Sequence, residues 1–195
     1  MKPVDRVAAE QGIRTFLRAL GYDLDDPTLR KTPARVVEAF TSELLAGEAV
    51  DLEALLEEGS DPAPGPSGIV VVRDIQVTTI CPHHLLPGLG TATIAYEPGA
   101  RLVGLGTLAR LVDAAARRLT LQEAIGERVV RALVGATGAR AALCRLELLH
   151  SCLAARGARQ PEARLVTIAR AGTFSDPTAL EAELRRSSEL GMRAQ

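Results

Sequence analysis

TLARLVDAAARRLTLQEAIGERVVRALVGATG, residues 107–138, carries the strongest secondary-structure signal of the chain. Its apolar residues recur at intervals of three and four over residues 108–119 and again over residues 125–133, which predicts two consecutive amphipathic helices. Residues 69–79 and 89–96 predict two strands before these helices, and residues 141–153 and 164–171 predict two strands after them. We therefore predict an α+β fold, in which two helices cover one face of an antiparallel sheet.

The chain before these strands is predicted to be helical. Residues 4–20 predict a helix that ends at Gly21, and a second helix is predicted to start at Pro33, with Thr32 as its N-cap, and to run to about Gly47. A shorter helix covers residues 51–58, and the segment GSDPAPGPSG, residues 59–68, predicts a linker. These boundaries give an N-terminal helical segment (residues 1–60), a sheet-containing domain (residues 61–175) and a C-terminal helical tail (residues 176–195).

The composition limits the classes of partner. Lys and Arg number 23 against 24 Asp and Glu, a net charge of -1, so no electrostatic field favours nucleic acid or an anionic membrane. The first residues lack the apolar core of a signal peptide and no apolar run reaches membrane-spanning length, so we expect a cytoplasmic protein. Aromatic residues make up only 3% of the chain, and the edges of the predicted sheet would be exposed in a monomer, so we expect a homo-oligomer.

Histidine and cysteine are concentrated in two short clusters. The chain has three of each, and five of these six residues lie in CPHH, residues 81–84, and HSC, residues 150–152. Pro82 forces a turn after a strand, so that Cys81 and His84 can face one centre. His150 and Cys152 are two apart in a predicted strand and so project from the same face. The sixth residue, Cys144, is predicted to lie in the core.

The residue types in these clusters suit a metal. Two thiolates and one imidazole, from Cys81, Cys152 and His84, favour zinc, and three protein ligands leave a fourth position open for a catalytic water. His83 and His150 would then serve as proton-transfer groups. Two alternatives stay open at this point: a closed structural zinc site with His83 or His150 as fourth ligand, and a set of core residues that binds no metal.

Several blocks of sequence resemble GTP cyclohydrolase I over residues 32 to about 174. The blocks are TPARV (32–36), CPHHLLP (81–87), IAYEP (94–98), LARLVDAAARRLTLQE (108–123) and HSCLAARGAR (150–159). The resemblance implies the tunnelling fold, an antiparallel four-stranded sheet with two helices, assembled into a toroidal decamer with active sites between subunits. It implies a zinc ion held by Cys81, His84 and Cys152. It also implies that His83 and His150 are catalytic.

The same resemblance implies a purine nucleotide as substrate. Glu123 matches the residue that anchors the purine, with Gln122 beside it. The residues that match basic positions of the triphosphate pocket are Arg35, Arg110, Arg156 and Arg159. In this family water activated by zinc attacks C8 of GTP, formate leaves, and the product is dihydroneopterin triphosphate.

The chain departs from the family in the triphosphate pocket. Family lysines or basic residues are replaced by Glu38, Thr107 and Gln160, and Gly106 stands where the family has a serine. A Phe, a Lys and a His of the strand after CPHHLLP are replaced by Gly88, Thr91 and Thr93. Two alternative functions follow: a related zinc hydrolase acting on a less phosphorylated or different purine- or pterin-like ring, and a non-catalytic tunnelling-fold protein that binds such a ring.

Overall fold

The computed structural model describes residues 3–65, 68–178 and 180–181. In chain order the elements are α1 (Arg6–Ala19), α2 (Thr32–Ala39), α3 (Leu52–Glu58), β1 (Ser60–Pro62), β2 (Val70–Ile80), β3 (Pro87–Glu97), β4 (Arg101–Val103), α4 (Leu105–Ala116), α5 (Gln122–Thr137), β5 (Ala141–His150), α6 (Ser151–Ala154) and β6 (Leu165–Gly172). The central sheet is antiparallel, with strand order β2-β3-β5-β6. The predicted α+β fold is therefore confirmed. Of the predicted C-terminal tail, residues 179 and 182–195 lie outside the described residues.

The main core lies between α4, α5 and one face of the sheet. Because strand side chains alternate between faces, the even-numbered residues of β5 from Ala142 to Leu148 join this core. The helices contribute fully buried residues to it, among them Leu111, Ile125 and Leu133. Each such side chain contributes about 1.5–3 kcal/mol through burial. The same alternation places His150, the last residue of β5, on the helix side of the sheet.

The other face of the sheet is covered near one end by the chain that follows β6. Phe174 and Leu180 pack there against Leu143. Glu97, only 3% exposed, accepts hydrogen bonds from the backbone N–H of Ser175 at 2.8 Å and from the Arg140 guanidinium. These hydrogen bonds, first that of Ser175, hold the pKa of Glu97 below its ordinary value. Glu97 thus links the chain that follows β6 to the sheet.

The connection between α4 and α5 brings the start of α5 to the end of β2. Leu119, in this connection, forms an isolated parallel bridge with Ile80, the last residue of β2. At its other end α5 stops at Gly138, whose left-handed backbone (φ 64°) closes the helix on the carbonyl of Val134. The first turn of α5 is therefore held beside the residues that follow β2.

The N-terminal segment differs in detail from its prediction. Thr32 is the first residue of α2 rather than its N-cap, and Lys31 occupies the cap position. The helix ends at Ala39, well before Gly47, and continues as a π-helical turn (Phe40–Leu44) and a 3₁₀ turn (Ala46–Ala49). A continuous α-helix would pair the Gly47 N–H with the Glu43 carbonyl, but both groups bond to Arg117 instead, at 3.1 Å and 3.0 Å. Gly47 also approaches α4 so closely that a Cβ there would lie 2.1 Å from the Ala114 carbonyl oxygen.

The segment predicted as a linker contains a short strand. Ser60–Pro62 pairs with Arg101–Val103 of β4, and the Arg101 side chain donates to the Ser60 hydroxyl at 2.8 Å. Just before it, Leu56 of α3 is fully buried in the main core. The helical segment is thereby attached to the sheet-containing part of the chain.

The two outer strands of the central sheet are β2 and β6. On β6 three apolar side chains, those of Leu165, Val166 and Ile168, are 42%, 44% and 51% exposed. No further strand pairs with the outer edge of either within the described residues. Helices long and apolar enough to span a bilayer are likewise absent from the described part of the chain.

Candidate active site

Cys81 and His84 are brought together by a tight turn after β2. The turn is closed by a hydrogen bond from the Leu85 N–H to the Cys81 carbonyl at 2.9 Å, and Leu85 adopts a left-handed backbone (φ 54°). Cys81 Sγ lies 3.7 Å from His84 Nδ1 and 4.0 Å from His83 Nδ1. Cys81 is buried, whereas both histidines are exposed. The turn therefore presents a thiol and two imidazoles at the end of the sheet.

Cys152 reaches the same place, but not from a strand. The prediction of a strand through residue 153 is wrong, because β5 ends at His150 and Cys152 lies in the short helix α6. His150 pairs with Gly88, the second residue of β3, so β5 has no neighbour on that side beyond this point. The chain turns after His150 and brings Cys152 close to Cys81 and His84. The ligand atoms of Cys81, His84 and Cys152 all lie within 4.8 Å of one another.

This group of three could hold one metal ion. Burial raises the pKa of Cys152, and so do its hydrogen bond with the Cys81 thiol and the repulsion between two neighbouring thiolates. A divalent cation removes that repulsion and stabilises both thiolates. Two sulfur ligands and one nitrogen ligand match the preference of zinc. The donor set thus fits the metal that the sequence predicts.

A cleft of about 300 Å³ lies beside this group. Its lining includes Cys81, His83, Gln122, Glu123, His150 and Cys152. Glu123 is exposed in the first turn of α5. Burial lowers the pKa of His150, and the negative charge of Glu123 opposes that shift. Thiols, imidazoles and a carboxylate therefore share one concave surface, which is a common arrangement in hydrolytic active sites.

Gln122 has a place that the sequence did not predict. It is only 2% exposed, and its amide oxygen lies 2.8 Å from His150 Nε2. Its amide nitrogen donates to the carbonyls of Leu146 (3.3 Å) and Leu165 (2.9 Å) and contacts the Thr167 hydroxyl at 3.1 Å. A glutamine at the start of a helix is ordinarily exposed, and its burial depends on strands distant in sequence. No signal in the local sequence reveals these contacts.

The four arginines predicted to bind phosphate do not line this cleft. All four are exposed: Arg35 on α2, Arg110 on α4, and Arg156 and Arg159 after α6. Of these four arginines, only Arg156 has an electrostatic effect on the metal-binding group. Its positive charge lowers the pKa of Cys152 and so opposes the larger effect of burial. Within one chain the structure does not gather these side chains around the cleft.

The replaced positions of the family pattern have ordinary structural partners. Glu38 on α2 forms an ion pair with Arg6 of α1 and accepts a hydrogen bond from Ser42 at 2.5 Å. Thr107 is only 4% exposed and packs against Gly59, and its hydroxyl accepts a hydrogen bond from Arg110 at 3.2 Å. Gln160 is exposed. Glu38 thus has a cationic partner within its own chain.

Comparison with known proteins gives consistent results. A family model described as GTP cyclohydrolase I matches residues 9–189. A protein named GTP cyclohydrolase 1 from Leifsonia xyli subsp. xyli is 39% identical over 179 residues, which cover 92% of this chain and 93% of that relative. Proteins of the same name from Chromobacterium violaceum and Pelagibacter ubique are 38% and 34% identical, over 97% and 92% of this chain and 91% and 89% of their own. Among solved structures, an archaeosine synthase QueF-Like in the apo form gives a TM-score of 0.45 at 12% identity, over 56% of this chain and 99% of that one. A structural likeness of that size carries no conclusion.

Proposed function

Because the chain belongs to the GTP cyclohydrolase I family, we propose that it hydrolyses the imidazole ring of GTP at C8, releases formate and forms dihydroneopterin triphosphate. The observation that carries this proposal is a cleft of about 300 Å³ that is lined by both thiols of a Cys-His-Cys donor set, two further histidines and a carboxylate. Opening the ring by hydrolysis needs an activated water, groups that move protons and an anchor for the rest of the purine. The cleft has a candidate residue for each task.

The metal of the proposed site is zinc, held by Cys81, His84 and Cys152. Zinc in such a three-ligand site supplies Lewis acidity, which makes water a nucleophile near neutral pH. The nearness of the two thiols supports this choice, since harder cations such as Mg²⁺ prefer oxygen ligands. Arg156 adds positive charge on the side of Cys152, which further favours the thiolate form.

His83 and His150 are the proposed proton-transfer groups. Both line the cleft, His83 as an exposed residue of the turn and His150 as a half-buried residue at the end of β5. Opening the imidazole ring requires protons at the purine nitrogens, and an imidazole can donate or accept a proton through a ring nitrogen near neutral pH.

Glu123 is the proposed anchor of the guanine. Its carboxylate stands at the cleft on the first turn of α5, where the positive end of the helix dipole favours an acidic group. A carboxylate accepts hydrogen bonds from both the ring N–H and the exocyclic amine of guanine. This pair of bonds would fix the orientation of the ring relative to the metal ligands.

The triphosphate would be bound in a homo-oligomer. Arginine suits this task because its guanidinium binds phosphate oxygens in pairs, and the proposed ligands are Arg35, Arg110, Arg156 and Arg159. Their absence from the cleft of a single chain supports a site completed by a second copy. The exposed apolar residues of β6 support such an assembly as well. We propose the toroidal decamer that the family resemblance implies.

GTP is favoured over a less phosphorylated substrate by the partner of Glu38. An unpaired acid in the pocket would repel a triphosphate, but the Arg6 guanidinium compensates Glu38. The chain also covers about nine-tenths of relatives named GTP cyclohydrolase 1.

The test is a parallel assay of the zinc-loaded protein with GTP, GMP, guanosine and guanine, which measures formate and pterin fluorescence together. We expect both signals from GTP, and neither from metal-stripped protein. Formate from GMP or guanosine but not from GTP would contradict the proposal, and so would formate from GTP without a pterin. Binding of GTP with no formate at all would indicate a binding protein instead.

A further inference from the structure

The orientation of the Gln122 side chain is fixed by its partners. Its amide nitrogen lies 2.9 Å from the Leu165 carbonyl oxygen and 3.3 Å from the Leu146 carbonyl oxygen. Carbonyl oxygens only accept hydrogen bonds, so the NH₂ group must face them. Rotating the amide by half a turn would bring two oxygens into contact with its own oxygen. The amide oxygen therefore faces His150.

This orientation also fixes the proton on His150. Its Nε2 lies 2.8 Å from the amide oxygen of Gln122, which can only accept. Nε2 must then carry a hydrogen. A neutral imidazole has a single N–H, so the lone pair is left on Nδ1. A neutral His150 held in this way can take up a proton only at Nδ1.

The opposite edge of the His150 ring lies over a glycine. Gly88 pairs with His150 on one side and with Thr79 on the other, so the three residues form a row across β5, β3 and β2. A Cβ at residue 88 would lie 3.2 Å from both Cε1 and Nδ1 of His150 and 3.2 Å from Cγ2 of Thr79. That distance is tighter than ordinary van der Waals contact. The glycine therefore leaves this edge of the ring without a side chain against it.

We propose that Gln122 is a positioning residue that holds His150 in the Nε2–H tautomer, and not a ligand of the purine. Both N–H groups of its amide already face backbone carbonyls, and the residue is nearly completely buried. A direct contact with the substrate would require breaking these bonds. The inference rests on the proposed function, because it assigns the geometry of a proton-transfer group in the same site. It replaces the substrate-binding role that the sequence resemblance implies for Gln122.

The experiment compares the zinc-loaded protein with its Gln122→Met variant. Methionine keeps the size of the side chain and removes the acceptor. Gln11→Met on the exposed surface of α1 is the matched control. The measurements are kcat and KM for GTP, and the tautomer of His150 from solid-state ¹⁵N spectra. The chain has only three histidines, so His150 is assigned by the signal lost in His150→Asn.

We expect kcat of Gln122→Met to fall about 10- to 100-fold with KM within about threefold of the wild type, as for other residues that orient a reactive imidazole. The ¹⁵N spectrum should lose the single Nε2–H form of His150. Gln11→Met should keep that form and match the kcat of the wild type. A raised KM with unchanged kcat would overturn the proposal in favour of substrate binding. An unchanged tautomer in Gln122→Met, or an Nδ1–H form of His150 in the wild type, would also overturn it.

Failure of this inference can be told apart from failure of the proposed function. If the wild type releases no formate from GTP, the proposed function fails, whereas the ¹⁵N spectrum still reports whether Gln122 sets the tautomer. If the wild type is active and Gln122→Met keeps both its kcat and its His150 spectrum, only the positioning role fails.

Discussion

Cys81 Sγ lies 3.7 Å from His84 Nδ1 within a single turn of four residues. Because the proposed site has three protein ligands, loss of either one leaves a metal only two. We expect Cys81→Ala to weaken zinc binding by more than about 100-fold, beyond the effect of losing an outer partner of a ligand. Zinc content per chain and competition with a chelator measure this change.

The control for that variant is Cys144→Ala. Cys144 is fully buried on β5, where burial raises the pKa of its thiol to about 12, and it is not part of the group of three residues whose ligand atoms lie close together. This variant should keep a full complement of zinc. Equal zinc contents in Cys81→Ala and Cys144→Ala would contradict the assignment of the metal site.

Removal of the metal separates a catalytic from a structural site. The main core packs α4 and α5 against the sheet, and of the three proposed ligands none belongs to it. We therefore expect chelation to abolish formate release while far-ultraviolet circular dichroism and cooperative thermal unfolding persist. Restoring zinc should restore activity. Unfolding of the chain on chelation would instead identify a structural zinc.

Glu123 and Glu127 provide a matched pair on one face of α5. Glu123→Gln should lower kcat/KM for GTP about 10- to 100-fold, the effect expected from losing a hydrogen bond to a charged acceptor. Glu127 lies one turn further along and pairs with Arg131 at 3.3 Å on the surface, so Glu127→Gln should change kcat/KM little. Steady-state kinetics of both variants decide the point, and similar losses would argue against an anchor at Glu123.

The order of elements could be predicted from the sequence, but the end of β5 could not. The spacing of apolar residues indicated two strands, two helices and two strands, because burial of one face of each element against a core imposes a helical or a strand spacing on them. The apolar run continues past His150 to Leu153, so the pattern does not show that the pairing of β5 with β3 ends where His150 pairs with Gly88. Cys152 lies on a helix because the pairing of β5 with β3 ends at His150. That pairing joins parts of the chain that are distant in sequence, so the local pattern does not reveal it.

The candidate site was predictable to a similar extent. Cys81, His83 and His84 are adjacent in sequence, so a turn at Pro82 was enough to bring them together. The proposed role of Gln122, on α5, depends on the carbonyl of Leu165, which is 43 residues away in sequence and lies on β6. Likewise, the hydrogen bonds that the Gly47 N–H and the Glu43 carbonyl form with Arg117 interrupt a helix that its own sequence would have continued. Contacts at long range decided these details.

The buried carboxylate of Glu97 should make stability depend on pH. The hydrogen bond from Ser175, and then the charge of Arg140, lower its pKa below 4.5 in the folded chain. The stabilisation is therefore present above about pH 4.5 and is lost as the pH falls through the lower, folded-state pKa. We expect Glu97→Gln to be less stable than the wild type at pH 7. The difference in free energy of unfolding should shrink at pH 3, and a constant difference would contradict this account.

Gly88 tests the space beneath the His150 ring. Gly88→Ala places a Cβ 3.2 Å from Cε1 and Nδ1 of that ring, so the ring must shift. We expect kcat for GTP to fall about tenfold, in keeping with loss of a well-oriented group. Gly12→Ala on α1 is the control, because a Cβ there meets no atom within 4 Å and helical alanine is favoured over glycine. Its kcat should be unchanged, and unchanged kcat in Gly88→Ala would show that the ring tolerates the methyl group.

The outer strand β6 imposes a trade-off on the evolution of the chain. In the proposed assembly another copy would cover Leu165, Val166 and Ile168, so each newly made subunit would pass through a stage at which these apolar side chains are exposed and its outer strand can associate with other chains. A lysine at one of these positions would protect that stage from aggregation, but it would equally hinder the association of finished subunits. Selection for solubility and selection for assembly therefore act in opposite directions on the same three side chains. In a cell the yield of active protein should depend on how fast subunits meet, and not only on how well each one folds.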